Sequence, residues 1–316
     1  MTLFDRDATI YVAGHRGLVG SALWRHLSAQ GCHDLVGRSS AELDLTDRAA
    51  TFDFFAESRP QVVVLAAARV GGIMANDTHP VEFLSENLQI QVNVMDAALK
   101  HDVDRLLFLG SSCIYPKDAA QPMTEDDLLT GRLEPTNSSY AIAKIAGILH
   151  VQSVRRQYGR AWISAMPTNV FGPEDNFSPV RSHVLPALIR RYDDAVRSGA
   201  DEVVNWGTGR PRREFMHVDD LADACVHLLE HYDDPQQINI GTGRDVTIRE
   251  LAETIARVVG FEGRTTWDAS RPDGMDQKLL DVTKLTQVGW TAQIGLEDGL
   301  ASTVDWYRNH LGSLRG

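Results

Sequence analysis

The chain has 316 residues, 43% hydrophobic and 23% charged, which excludes a disordered, collagen-like or disulfide-scaffold protein and leaves one large α/β unit or two domains. Its 43 acids and 31 bases give a net charge of −12, a field that repels a phosphate backbone and argues against a nucleic-acid partner. A small anionic ligand held by a few local arginines is still allowed.

Cys32, Cys113 and Cys225 are odd in number and far apart, with no C-x-x-C pair to hold a metal or cycle as a redox couple. The apolar run Val62 to Ala68 falls far short of the roughly 20 residues that cross a bilayer, so no membrane partner is expected. Asp5 and Asp7 stand where a secretory signal would be basic and then apolar, and a reducing, cytoplasmic location is expected.

From Ala8 short apolar runs alternate with segments of helical period, the pattern of β-α units that build a Rossmann-type, doubly wound parallel sheet. Strands are predicted over Ala8 to Ala13, Leu35 to Gly37, Val62 to Ala66, Arg105 to Leu109 and Trp162 to Met166. Helices are predicted over Leu18 to Ala29, Arg48 to Ser58, Pro80 to Lys100 and Ser139 to Tyr158. In the third helix Phe83, Leu84, Ile90, Val94, Met95 and Ala98 recur at helical spacing, so one face should be buried. After Pro167 the texture changes: Pro173, Pro179, Pro186 and Pro211 break the chain and no sustained β-α alternation continues. A smaller mixed α/β C-terminal domain is expected there, with a strand and helix over Phe215 to Glu230 returning the chain to the first unit. The expected division is 1–170 plus about 215–240 for the first domain and about 171–214 plus 241–316 for the second.

The first strand runs into Gly14-His15-Arg16-Gly17-Leu18-Val19-Gly20, three glycines at spacings of three, followed by a helical pattern. A tight turn without side chains lets a helix N-terminus point free N–H groups at a pyrophosphate, so dinucleotide binding is expected, although Arg16 replaces the middle glycine of the usual fingerprint. An acid at the end of the second strand would favour NAD and an arginine NADP. Arg38 lies just past that end and Arg16 in the turn, which favours NADPH/NADP.

The fourth strand ends in Leu109-Gly110-Ser111-Ser112-Cys113, and a later helix carries Tyr140 and Lys144, four apart and therefore on one face. A tyrosine ionises near pH 10, and a neighbouring ammonium stabilises its phenolate, which suits acid-base work nearer neutrality. The serine-bearing strand end and the dinucleotide turn strengthen this pair as a signal of acid-base work.

These motifs, together with Leu65-Ala66-Ala67-Ala68-Arg69-Val70-Gly71-Gly72-Ile73, Ile114-Tyr115-Pro116-Lys117, Glu134-Pro135-Thr136-Asn137, Met166-Pro167-Thr168-Asn169 and Arg213-Glu214-Phe215, resemble the extended short-chain dehydrogenase/reductases. The likeness runs over nearly the whole chain and is closest to the branch that epimerises and reduces GDP-linked 4-keto sugars. It implies NADPH-dependent 3,5-epimerisation and 4-reduction of GDP-4-keto-6-deoxy-D-mannose to GDP-L-fucose. By that resemblance Cys113 is the base and His183 the acid, while Tyr140 and Ser111 hold the ketone oxygen and Lys144 binds the nicotinamide ribose and lowers the Tyr140 pKa.

The resemblance also places Leu109, Gly110, Ser111, Ser112, Pro167, Thr168, Asn169, Val170 and His183 along the cofactor, with Asp44 and Leu45 beside the adenine. Arg191, Trp206, Arg213 and Lys278 would meet the substrate diphosphate and guanosine. Where relatives often carry another arginine, this chain has Ser39-Ser40, so Ser40 replaces a cation at the 2′-phosphate end and the NADP preference leans on Arg16 and Arg38. A homodimer through the two long helices is implied.

Four other readings stand beside this one. A 4,6-dehydratase would place an Asp-Glu pair where Ser112-Cys113 stands, and a simple 4-epimerase needs no Cys113/His183 proton pair. A relative acting on another GDP-linked 4-keto sugar, such as a 6-deoxy-heptose, would keep the same catalytic set. A sensing or scaffold protein would have lost the serine, tyrosine or lysine, and all three are present.

Overall fold

The computed structural model describes residues 3–314 except 180, 181 and 272. The chain runs β1 (Ile10–Ala13), α1 (Leu18–Ala29), β2 (Leu35–Val36), α2 (Arg48–Ser58), β3 (Val62–Leu65), α3 (Ile73–Thr78), α4 (Pro80–Lys100), β4 (Arg105–Leu109), α5 (Ser138–Tyr158) and β5 (Ile163–Pro167). It continues through β6 (Asn169–Phe171), α6 (Val184–Ser198), β7 (Glu202–Trp206), β8 (Arg212–His217), α7 (Val218–His231), β9 (Ile238–Ile240), β10 (Asp245–Thr247) and α8 (Ile248–Val259). The last elements are β11 (Arg264–Asp268), β12 (Gln277–Lys278), α9 (Thr283–Gln287) and α10 (Leu296–Asn309).

Six parallel strands form a sheet in the order β2-β1-β3-β4-β5-β9. Strands β1, β3 and β4 are buried at every position, as a sheet covered on both faces requires. Alternate residues serve opposite cores. Ile10, Val12, Val62, Val64, Leu107 and Leu109 pack with α1 and α7, whereas Tyr11, Val63, Leu65, Leu106 and Phe108 pack with α2, α4 and α5.

The seat of α5 matters because it carries Tyr140 and Lys144. A Cβ at Gly147 would lie 2.3 Å from the Phe108 ring, so only glycine lets this helix approach the sheet so closely. Gln91 of α4 donates to the Ala143 carbonyl at 2.7 Å and sets the register of the two helices. The α1 turn sits at the point where strand order reverses, between β1 and β3, which is where open α/β sheets bind ligands.

A second core forms around Phe171, Phe177, Leu188, Tyr192, Leu251, Ile255 and Tyr307. Its sheets are small: β10-β8-β12 with β6 also on β8, and the pair β11-β7. Two expectations change here. The strand over Phe215 belongs to this smaller sheet, and β9 supplies the sixth strand of the large one. Helices α6, α8 and α10 were not expected; Pro186, read as a breaker, stands in the first turn of α6, where its missing N–H has no intrahelical partner to lose. Among the described residues no helix is long and apolar enough to cross a membrane.

Candidate active site

Gly14 has φ +84°, and a Cβ there would lie 2.9 Å from the Ala67 amide nitrogen of the neighbouring strand-end loop. A Cβ at Gly20 would lie 2.1 Å from the Gly14 carbonyl oxygen. Gly17 is the N-cap of α1 and puts no side chain over the first-turn N–H groups of Leu18, Val19 and Gly20. The result is an open cradle of backbone donors with positive helix-end charge, suited to a diphosphate. Arg16 is exposed beside it. The His15 ring lies 5.3 Å from that of Trp24 and close against Gly37, with Nδ1 buried and unpartnered by protein.

Past β2 the Arg38 guanidinium lies 5.5 Å over the Phe54 ring and donates to the Gly37 carbonyl at 3.0 Å, while Ser40 is exposed. The Asp44 carboxylate accepts from the Thr46 amide and hydroxyl, and Asn93 of α4 donates to the Leu45 carbonyl at 2.9 Å. A cavity of about 500 Å³ opens beside β2 with Trp24, Val36, Gly37, Arg38 and Phe54 among its walls. It lies at this end of the molecule and not over the catalytic cluster.

At the end of β4, Gly110 leaves room for the Met166 side chain, since a Cβ there would lie 2.3 Å from its sulfur. Ser111 is extended and caps the short 3-10 turn Ser112–Ile114, its Oγ accepting the Cys113 N–H at 3.3 Å. The same hydroxyl hydrogen-bonds the Tyr140 phenol and the Cys113 thiol. Lys144 is buried, donates to the Leu109 carbonyl at 2.8 Å and stands 5.7 Å from the centre of the Tyr140 ring. Ser111, Cys113, Tyr140 and Lys144 are thus brought together as expected from the sequence.

Their electrostatics correct one expectation. Burial, reinforced by the Cys113 charge, raises the Tyr140 phenol above its ordinary range despite the Ser111 hydrogen bond. Burial also pushes Lys144 down to about 7. The Lys144 ammonium, 5.7 Å from the ring centre, does not offset the burial of the phenol, so the lowered Tyr140 pKa expected of it does not emerge from the chain's own groups. For Cys113, burial alone would push the thiol up, but the Lys278 charge and hydrogen bonds from Ser111 and Lys278 outweigh it and hold it below its ordinary range.

Pro167 ends β5, and beside it the Thr168 amide donates to the Ile240 carbonyl at 2.9 Å. Asn169 donates to the Glu214 carbonyl at 2.8 Å, and Val170 continues β6. His183 is the N-cap residue of α6 and is exposed to solvent, yet the protein crowded around its ring and the Lys278 charge lower its imidazole pKa. Arg213 is in register with Lys278 across β8 and β12, and it is half-buried, with the charges of Asp276 and Cys113 opposing the effect of burial. Arg191 and Trp206 form a separate patch on α6 and β7. There Arg191 donates to Asn205 Oδ1 at 2.9 Å, and the Arg271 guanidinium lies 5.2 Å over the exposed Trp206 ring.

Two residues of this site carry no role in the sequence reading. Glu134 faces Cys113 with a charge that opposes thiolate formation. Glu214 is wholly buried and accepts the backbone N–H groups of Thr242, Gly243 and Leu280 at 2.6, 2.8 and 3.1 Å. A carboxylate flanked by Phe215 and Met216 in a strand was the available signal.

The family model described as "NAD dependent epimerase/dehydratase family" matches residues 10–241. GDP-L-fucose synthase 1 of Arabidopsis thaliana is 58% identical over 306 residues, covering 97% of this chain and 95% of that protein. The GDP-L-fucose synthase of Escherichia coli strain K12 is 54% identical, covering 97% of this chain and 98% of that protein. Among solved structures, a GDP-mannoheptose C4 reductase from Campylobacter jejuni with NADP bound superposes with a TM-score of 0.90 at 36% identity, covering 96% of this chain and 99% of that one.

Proposed function

The chain belongs to the NAD dependent epimerase/dehydratase family, and on that premise we propose that it converts GDP-4-keto-6-deoxy-D-mannose to GDP-L-fucose by 3,5-epimerisation and NADPH-dependent reduction at C4. Near-full-length likeness to GDP-L-fucose synthases supports the substrate. The observation that carries the reading is Cys113, whose thiol takes the Lys278 ammonium at 3.3 Å in the turn that Ser111 caps, which holds its pKa below the ordinary range. A reductase alone, or a simple 4-epimerase, has no use for such a base.

The cradle that any Cβ at Gly14 or Gly20 would fill fits the cofactor diphosphate, and Arg16 and Arg38 fit a 2′-phosphate. Bound there, NADPH would supply hydride. Leu109, Gly110, Ser112 and Pro167 to Val170 would line the nicotinamide end, with Lys144 on its ribose.

The C4 ketone acidifies the C–H bonds at C3 and C5. As the Cys113 thiolate takes a proton from one face, the charge that develops on the ketone oxygen meets the Ser111 and Tyr140 hydroxyls, donors already in place. His183 returns a proton to the opposite face. Two such exchanges invert C3 and C5. For reduction at C4, Tyr140 would give its proton to the carbonyl oxygen; a phenol raised by burial is in the required protonated state at neutral pH.

Residues 1–170 and about 218–240 would hold the cofactor and the catalytic groups, and 171–217, with the strand over Phe215, and 241–316 the sugar nucleotide, with Arg191, Trp206 and Arg213 on the GDP moiety. The exposed apolar residues Val81, Val92, Ile142 and Leu149 on α4 and α5 support a homodimer through those helices. Three unpaired cysteines support a reducing, cytoplasmic setting. A second reading, a GDP-linked 4-keto heptose as substrate, is favoured by the likeness to the heptose reductase.

Incubation with GDP-4-keto-6-deoxy-D-mannose and NADPH in D₂O tests the reading. The product should carry deuterium at C3 and C5, with one NADPH oxidised per turnover. Unlabelled product, or no NADPH oxidation, overturns it. Tyr140→Phe should abolish reduction, and Cys113→Ser should chiefly slow deuterium uptake.

A further inference from the structure

Lys278 reads in the sequence as a diphosphate contact, but its ammonium turns to the thiol: Nζ lies 3.3 Å from Cys113 Sγ. The backbone around it is pinned on both sides. Strand β12 pairs with β8 so that Lys278 is in register with Arg213. The next two amides donate to Gln121 Oε1 at 2.8 Å and Glu214 Oε2 at 3.1 Å, and the Met123 amide donates to the Leu279 carbonyl at 2.8 Å. A cation from the small sheet is thereby launched from a fixed point at a thiol on the large sheet's catalytic loop.

We propose that Lys278 is a positioning residue for epimerisation, whose ammonium holds the Cys113 sulfur deprotonated, as the base. The other groups that bear on Cys113 come from each element packed around it. Ser111 donates from its own turn, and Tyr140 stands on α5. Glu134 opposes from the turn before α5, and Arg213 acts from β8. Lys278 is the cation in contact. Its charge also disfavours protonation of His183, so removing it should move both groups upward together. An ammonium on a rigid backbone suits this role, because a point charge at hydrogen-bond distance stabilises a thiolate strongly where water is scarce.

The inference rests on the epimerase-reductase reading for its meaning, but its test needs no sugar. Carboxamidomethylation of Cys113 by iodoacetamide, a neutral reagent, is followed by peptide mass mapping between pH 5 and 10. Wild-type, Lys278→Met, Lys278→Gln and Lys278→Arg proteins are compared. The wild-type midpoint should lie below the free-thiol value of about 8.5. It should rise by about one pH unit or more in the Met and Gln variants and stay near wild type in the Arg variant. Deuterium uptake at pH 7 should fall about tenfold in the Met variant and recover at higher pH, with GDP affinity held within about twofold.

A wild-type midpoint at or above about 8.5 overturns the proposal whether or not any variant folds. An unmoved midpoint in a folded Met or Gln variant does the same, and lost GDP affinity with an unmoved midpoint returns Lys278 to the diphosphate. If the midpoint shifts as expected but wild type does not turn over the fucose precursor, the Cys113–Lys278 pair stands and the substrate reading fails.

Discussion

The Lys144 ammonium donates to the Leu109 carbonyl across 2.8 Å, tying the cation of α5 to the strand end that bears Ser111. Burial makes the charged form costly and brings its pKa to about 7. The ammonium is therefore present below that pH and lost above it, whereas an anionic cofactor favours the charged form. NADPH affinity, read by fluorescence titration, should weaken from pH 7 to pH 9, by at most about tenfold per unit. Lys144→Arg, which does not titrate in this range, should give a flat profile. A flat wild-type profile would refute control by Lys144.

The phosphate turn makes a steric prediction. Gly20→Ala places a Cβ 2.1 Å from the Gly14 carbonyl oxygen and must displace backbone. NADPH binding should be lost and the melting temperature lowered. At Gly17 the same Cβ stands 3.4 Å from that oxygen, so Gly17→Ala should fold and bind with at most about tenfold weaker affinity. Equal effects at the two positions would contradict the cradle geometry.

The contrast between these glycines also shows what the sequence could and could not disclose. Helices α1, α2 and α4 and strand β4 occupy the predicted residues, because buried parallel strands are unbroken apolar runs and amphipathic helices repeat at fixed spacing. Strands β6, β10 and β12 have two or three residues and carry no period. Helix α8 was legible and missed: Thr247 and Glu250 form a capping box, and Leu251, Ala252, Ile255 and Val259 make its buried face. Ser111, Tyr140 and Lys144, the residues proposed to be catalytic, could be read from local strings. The turn of Lys278 toward Cys113, 165 residues away, depends on the β8–β12 register and has no local signature.

Cofactor choice should depend on two arginines. Arg16 is exposed beside the diphosphate cradle, and Arg38 is braced by the Phe54 ring and the Gly37 carbonyl. Replacing either with alanine should raise the KM for NADPH about tenfold, the cost of one charge-assisted phosphate contact, and leave the KM for NADH nearly unchanged. Parallel increases for both cofactors would place the arginines elsewhere.

The exposed apolar face of α4 and α5 predicts association. Leu149 is 44% exposed and Val92 38%, on helices whose opposite faces are fully packed. Leu149→Glu would bury a charge in a dimer contact and should shift sedimentation to the monomer, whereas wild type should sediment as a dimer. A monomeric wild type would refute the contact.

Glu214 ties β8 to β6, to the loop after β9 and to the segment after β12. Its carboxylate takes the Thr242, Gly243 and Leu280 amides, and its carbonyl takes Asn169. A Cβ at Gly241 would lie 2.3 Å from Oε1, so the loop is fitted to an oxygen. Glu214→Gln turns an amide NH₂ toward backbone donors and should cost about 2–3 kcal/mol in urea unfolding. Burial outweighs the hydrogen bonds and raises the wild-type pKa. The native state then binds more protons than the unfolded chain between the unfolded value near 4.3 and the raised folded one, so this group's contribution to wild-type stability falls as pH rises through that window. Glutamine does not titrate, so the deficit of Glu214→Gln should be widest near pH 4 and narrow toward neutrality. A deficit that widens with pH would show the carboxylate, not the acid, to be the favoured buried form.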